Sequence, residues 1–129
     1  MQTYQDMLSS SSLKSTPQRL AILSQLEAKG HASIEEIYES IKETFPSMSL
    51  ATIYKNIASL KEQNIVSEVC NHHKPKFEIT KEPHAHFICQ KCGYIEDVEF
   101  SDSIDSEIEQ KYPGSKKELY IYGLCNSCR

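Results

Sequence analysis

Two Cys-x-x-Cys pairs constrain this chain more than any other feature: Cys89-Gln-Lys-Cys92 and Cys125-Asn-Ser-Cys128, at the chain's end. Thiolates at i and i+3 of a tight knuckle can both reach one tetrahedral ion. Two knuckles supply four sulfurs, the ligand set of a closed structural zinc site with no open position for chemistry. The stretch between Cys92 and Cys125 is longer than in a simple zinc ribbon, so it must fold back to return the second knuckle to the first. A redox pair or unrelated thiols are the alternatives. A thioredoxin-like pair belongs beside a βαβ pattern, and none is evident here. A fifth cysteine, Cys70, is left over, and an odd thiol argues against a disulfide framework. The polar start, Met1 to Ser12, has no apolar core of a signal peptide, which favours the cytoplasm and metal-bound rather than disulfide-bonded cysteines.

A second set of donors lies beside the first knuckle. His84 and His86, on an expected strand, point to one face. Glu78 precedes them, and the acidic pair Glu96 and Asp97 follows. Imidazole and carboxylate suit iron, manganese or zinc better than they suit soft-metal chemistry. An isolated His-x-His is more often a pair of ordinary exposed strand histidines. Proximity to a metal knuckle and to two carboxylates favours a site, and His31, in a loop before a helix, is a further ligand candidate. His72 and His73 fall in a turn with Asn71 and Lys74 and read as exposed.

The chain in order reads as α+β, in two parts: 1–80, a short hinge 81–83, and 84–129. Met1–Ser12 reads as a short helix or a frayed terminus. Thr16 is a good N-cap and Pro17 suits the first helical position, so a helix begins there, carries Leu20, Leu23 and Leu26, and ends at Lys29-Gly30. Ser33 and Glu36 form a capping box for a second helix with an apolar stripe of Ile34, Ile37, Tyr38, Ile41 and Phe45, stopped by Pro46. Ser49 caps a third, Leu50 to about Gln63, with Leu50, Ile53, Ile57 and Leu60 inward. A hairpin follows: β-branched residues 65–70, turn residues 71–76, then an alternating Lys76–Ile79. Three helices and a hairpin is the order of a winged helix-turn-helix. Residues 84–129 read as strand, strand, helix, strand. The helix, capped by Ser101 or Asp102, carries Ile104 and Ile108. This small α/β module has too few apolar residues to be robust alone, so zinc or dimerisation is expected to support it.

Charge does not announce a nucleic-acid partner. The net charge is −4, whereas such domains are usually basic. Any DNA contact must rest on local arrangement. Thr52, Tyr54 and Lys55 lie away from the inward face of the third helix, where they could reach base edges, a thymine methyl or phosphate. A solvated helix face is the plainer alternative, and the winged-helix context favours contact. An enzyme is not expected: no Ser/His/Asp triad or phosphate-binding Gly-rich loop is evident. A metal-dependent hydrolase remains the alternative from another class, since His and carboxylate ligands can activate water. No stretch approaches the length of a membrane span.

These features resemble the ferric uptake regulator family over nearly the whole chain. The stretches that carry the resemblance are Leu13-Lys-Ser-Thr-Pro-Gln-Arg19, Ser49-Leu-Ala-Thr-Ile-Tyr-Lys-Asn56, His84-Ala-His-Phe-Ile-Cys-Gln-Lys-Cys-Gly93 and Leu119-Tyr-Ile-Tyr-Gly-Leu-Cys125. The resemblance implies a cytoplasmic homodimer with an N-terminal winged helix and a C-terminal dimerisation domain. It implies a metal-dependent repressor of AT-rich inverted-repeat operators in double-stranded DNA. By position it implies structural zinc on Cys89, Cys92, Cys125 and Cys128, and a regulatory Fe2+ or Mn2+ on His31, Glu78, His84, His86 and Asp97. Lys14 matches a minor-groove contact, and Tyr54 and Lys55 match recognition-helix positions. Arg19, in the first of these stretches, joins Lys14, Thr52, Tyr54 and Lys55 as an expected DNA contact. The family usually has arginine where Lys55 stands, which implies a less bidentate base contact.

The four cysteines, the Thr-Pro-Gln-Arg stretch and Asp97 resemble the peroxide-responsive branch. Glu78 departs from it, because peroxide sensors typically carry Asp there and iron sensors Glu. Pro83 and Ala85 occupy two ligand positions of a further site found in some iron sensors, which implies that this site is missing. The expected function is a repressor that senses peroxide, iron or both. The alternative is an iron-, manganese- or zinc-status repressor without peroxide sensing.

Overall fold

A computed structural model describes residues 3–69, 74–81 and 84–129. Cys70, Asn71, His72 and His73, and the linker residues Glu82 and Pro83, lie outside the described residues, so the readings made for them have no structural counterpart here. The chain divides into two compact units, residues 1–80 and 81–129. Both helix and sheet are present in each. No helix among the described residues is long and apolar enough to cross a membrane.

The first unit is built on well-capped helices. A short helix α1 (Tyr4–Ser9) opens with a Thr3/Asp6 capping box and buries Leu8. Helix α2 (Pro17–Lys29) starts at Thr16, whose side chain accepts the Arg19 N–H, and stops where Gly30 takes φ of 80°. Helix α3 (Ile34–Ile41) has the Ser33/Glu36 capping box. Helix α4 (Leu50–Glu62) begins at Ser49, whose hydroxyl accepts the Thr52 N–H. Each cap satisfies N–H groups that have no partner inside the helix. Replacing Ser33 by alanine is therefore expected to cost about 1 kcal/mol. Ser33 is itself buried, so the orphaned N–H has no water to turn to. Chemical denaturation of the two proteins checks this; an unchanged midpoint would count against the cap.

Strands β1 (Val66–Val69) and β2 (Lys76–Ile79) pair antiparallel, Val66 opposite Ile79. Residue 32 adds a third rung through reciprocal Ala32–Phe77 hydrogen bonds of 3.0 and 2.8 Å. The core joins Leu8, Ile22, Leu23, Leu26, Ile34, Ile37, Ile41, Met48, Ile53, Ile57, Leu60, Ile65, Val66 and Phe77. Lys76 of the hairpin forms an ion pair with Glu36 of α3.

Three readings differ from the structure. Leu50 is 41% exposed rather than inward. It lies one heptad before Ile57 and so on the same face, but the first helical turn carries it past the core. Helix α3 ends at Ile41 rather than running on to Pro46, and Phe45 packs against the core from the turn that follows. Strand β2 does not alternate in burial: Phe77 and Glu78 are both buried, on opposite faces.

The second unit is one three-stranded sheet in the order β4-β3-β5, with β3 (His84–Cys89) in the centre. Strand β4 (Ile95–Glu99) runs antiparallel to it, His86 opposite Asp97. Helix α5 (Asp102–Lys111), capped by Ser101, is the crossover to β5 (Leu119–Gly123), which runs parallel to β3. A parallel partner needs such a crossover. Ala85, Ile88 and Cys89 are the buried apolar residues of this unit among those described, and α5 buries none of its own. The core is correspondingly thin.

Candidate functional site

The parallel pairing of β3 with β5 is what brings the two knuckles together. Cys89 stands opposite Gly123, and the Gln90 N–H donates to the Gly123 carbonyl at 2.8 Å. Cys125, two residues beyond, then arrives beside the first knuckle. Gly123 lets the Phe87 ring pack close against β5, since a Cβ there would stand 3.3 Å from the ring and press it aside by a few tenths of an ångström. The first knuckle turns at Gly93, with φ of 82°. The Gly93 N–H donates to the Cys89 carbonyl at 2.9 Å and the Cys92 N–H to the Cys89 sulfur at 3.5 Å.

The four sulfurs of Cys89, Cys92, Cys125 and Cys128 lie within 4.8 Å of one another. Those of Cys92 and Cys125 are 3.7 Å apart. Two sulfurs of a tetrahedral zinc site with bonds of about 2.3 Å stand about 3.8 Å apart, so donor type and spacing both fit zinc. The protons of this cluster are unevenly held. Backbone N–H donors from Cys125, then Cys92 and Lys91, hold the Cys89 thiol down to about 5. The neighbouring Cys125 thiol, with burial, pushes Cys128 up to about 12. Cys92 is also raised by its sulfur neighbours, against a backbone donor from Tyr94.

The harder donors occur as two sets, one in each unit. In the first unit the Ala32–Phe77 bridge is antiparallel, so His31 falls opposite Glu78. The His31 Nε2 lies 3.0 Å from the Glu78 Oε2, and Glu78 is only 3% exposed. In the second unit the alternation of β3 puts His84 and His86 on one face, with ring centroids 4.4 Å apart. Register selects Asp97 of the acidic pair for that face, because Glu96 stands opposite Phe87 and points the other way. The Asp97 Oδ1 lies 3.4 Å from the His84 Nε2 and 3.6 Å from the His86 Nε2. His86 is buried, and Tyr120 of β5 stacks on it at 5.8 Å. Tyr120 was not expected from the sequence, since its pairing with β3 depends on the crossover.

The expected DNA contacts do not behave alike. Lys14, Tyr54 and Lys55 are exposed, Tyr54 at 58%. Thr52 is half-buried, and its hydroxyl shares a 3.1 Å hydrogen bond with Ser49 at the start of α4. Arg19 is engaged within the unit: its Nε donates to Asn56 Oδ1 at 3.1 Å and its Nη1 to the Lys14 carbonyl at 2.9 Å. Asn56 in turn donates to the Thr52 carbonyl at 3.0 Å. Arg19 thus ties α2 and the Lys14 loop to α4. Asn56 is a residue that sequence reasoning missed, because its partner lies far away in the chain.

Comparison with known proteins gives a consistent match. The model of the ferric uptake regulator family matches residues 10–121. The peroxide operon regulator of Bacillus subtilis is 33% identical over 131 aligned positions, covering 95% of this chain and 89% of that one. Among solved structures, the peroxide stress regulator of Campylobacter jejuni superposes with a TM-score of 0.78 at 38% identity, covering 99% of this chain and 100% of that one. The ferric uptake regulator of Helicobacter pylori, described as having three functional metal-binding sites, gives 0.78 at 26% identity over 98% of this chain and 94% of its own.

Proposed function

The chain belongs to the ferric uptake regulator family of metal-responsive transcription regulators, and from that premise we propose that it is a peroxide-sensing, metal-dependent repressor. In this reading it acts as a homodimer on AT-rich inverted-repeat operators. Residues 1–80 are its winged-helix DNA-binding domain, 81–83 a hinge and 84–129 a zinc-stabilised dimerisation domain. Members of this family are regulators rather than enzymes. The observation that carries the reading is the split of the hard donors. His31 and Glu78 belong to the unit that contains α4, and His84, His86 and Asp97 to the other. Sharing one Fe2+ or Mn2+ among the five couples the two units, and so couples metal loading to the placement of α4 on DNA. The donor set fits such an ion: three imidazoles and two carboxylates, harder than the cysteine quartet that takes zinc.

In this reading Lys14, Tyr54 and Lys55 contact DNA directly, with Thr52 at the start of the same helix. Arg19 serves as a positioning residue through Asn56, besides any phosphate contact. The apolar side chains left exposed on the second unit, among them Ile104, Leu119, Ile121 and Leu124, support a second copy of the chain as its cover. In a dimer, the spacing of two α4 helices has to match two half-sites. An Fe2+ held by these residues would supply the redox chemistry that cleaves peroxide beside them. His31 or His86 would then lose two electrons and gain one oxygen atom of the peroxide, the other leaving as water, and the oxidised ring would no longer couple the units.

The test is operator binding by zinc-loaded protein, made anaerobically with Fe2+ or Mn2+ and then given a peroxide pulse and intact-mass analysis. The expected result is that both metals promote DNA binding with steep salt dependence. After the pulse only the Fe2+ form should lose DNA and gain oxygen on His31 or His86. Survival of both forms without histidine oxidation would instead identify an iron- or manganese-status repressor. Glu78 favours that second reading, since peroxide-sensing relatives typically carry Asp at this place. If neither metal promoted binding, both readings would be overturned and a zinc-responsive or metal-free binding role would take their place.

A further inference from the structure

Asp97 faces two ways. Its Oδ1 is turned to the ring nitrogens of His84 and His86, at 3.4 and 3.6 Å. Its other oxygen, Oδ2, accepts a close ion-paired hydrogen bond from the Lys81 ammonium. Lys81 begins the second unit, so all four groups belong to one compact body. A lysine on a carboxylate that sits beside two imidazoles is an unusual neighbour for a cation site. It partly neutralises the carboxylate that faces both histidine ring nitrogens, and it places a positive charge where a dication must also come.

We propose that Lys81 is a built-in competitor of the regulatory metal, which sets the metal concentration at which the protein loads. The proposal rests on the assignment of Asp97, His84 and His86 as ligands made above. Without metal, the ammonium stands in for the ion on Asp97 and keeps the carboxylate compensated. With metal, the ion must either displace Lys81 from Asp97 or bind beside it against its charge. Both options weaken loading. Lys81 is half-exposed, so an ammonium released from Asp97 can be solvated, and the competition is graded rather than absolute. An orienting role predicts the reverse effect: a lysine that merely held Asp97 in the right rotamer would strengthen metal binding.

The two roles are told apart by the sign of one substitution. The Mn2+ dissociation constant of full-length, zinc-loaded protein is measured by competition with a fluorescent chelator. It is compared for wild type, Lys81→Met, Lys81→Arg, Asp97→Asn and the Lys81→Met/Asp97→Asn double variant. Lys81→Met is expected to bind Mn2+ about fivefold more tightly, as suits a half-exposed ion pair and one repelling charge. Lys81→Arg, which keeps the charge, should remain within about twofold of wild type. In the Asp97→Asn background the Lys81→Met effect should shrink below about twofold, because the competition runs through Asp97. Equal or weaker Mn2+ binding by Lys81→Met would overturn the proposal, as would a full effect in the Asp97→Asn background. A wild-type protein that takes up zinc but no Mn2+ would instead defeat the five-ligand reading, and the competitor role with it. Melting curves of the variants separate a change in affinity from a loss of fold.

Discussion

Replacing Cys89 by serine is expected to abolish zinc retention and unfold the second unit while leaving the first folded. The size of the effect follows from the imbalance between the two cores. Residues 3–69 and 74–80 bury a continuous cluster of leucine, isoleucine, methionine and phenylalanine side chains. The second unit, among its described residues, buries Ala85, Ile88 and Cys89. Burial of that order cannot offset the conformational entropy of some forty-odd ordered residues, at about 1–2 kcal/mol each for the backbone. A four-cysteine zinc site supplies on the order of 10 kcal/mol to small domains of this kind. Cys89 is its best-prepared ligand, since three backbone N–H donors already hold its thiol down to about 5. Zinc content should fall from one ion per chain to none. Calorimetry should lose the transition of the second unit and keep that of the helical unit. Full zinc content with an unchanged melting curve would show that the cluster does not support the fold. Chelation of the wild-type protein should reproduce the variant, which separates loss of the ion from the substitution itself.

The second large effect is expected at His86. On the five-ligand reading proposed above, replacement by alanine should remove the regulatory ion and lower metal-dependent operator affinity by roughly 100-fold, since losing a direct ligand costs at least as much as losing an outer-shell partner. Zinc should be retained, for a reason visible in β3. His86 and Cys89 lie three residues apart on the same strand and therefore point to opposite faces. Loss of zinc or of the dimer in this variant would argue that one site, not two, is present. His86 also stacks on Tyr120, so some of the loss could come from packing. Asp97→Ala supplies the control, because Asp97 is exposed and its removal leaves that stack intact. The same loss of Mn2+ response in both variants is the expected outcome.

Much of the first unit was legible because its signals are local. Thr16, Ser33 and Ser49 announce three helix starts, and each cap is formed by a group three residues away. The apolar periodicity of Ile34, Ile37 and Ile41 marks the face that is buried. Misreadings fall where the outcome depends on the surroundings of an element rather than its own period. Leu50 has the right phase but lies beyond the cover of its neighbours. Glu78 breaks an alternating pattern because its face meets His31. In the second unit, Cys-x-x-Cys spacing identified both knuckles, but nothing in the 32 residues between them states that β5 runs parallel to β3. That pairing alone decides whether four sulfurs meet.

By itself, the sequence determined which chemistry was available: four soft thiolates in two knuckles, a handful of imidazoles and carboxylates near them, and a capped helix with polar residues on its outer face. Residue type and short spacing are enough for that, because side-chain hardness and local geometry do not depend on the rest of the chain. Only the tertiary structure decided which groups face one another. It chose Asp97 over Glu96 through strand register, turned Arg19 inward onto Asn56, stacked Tyr120 on His86 and set Lys81 on the Asp97 Oδ2 while Oδ1 faces the histidines. Each of these joins residues distant in sequence, and a register shift of a single residue would have sent every one of the strand residues to the opposite face.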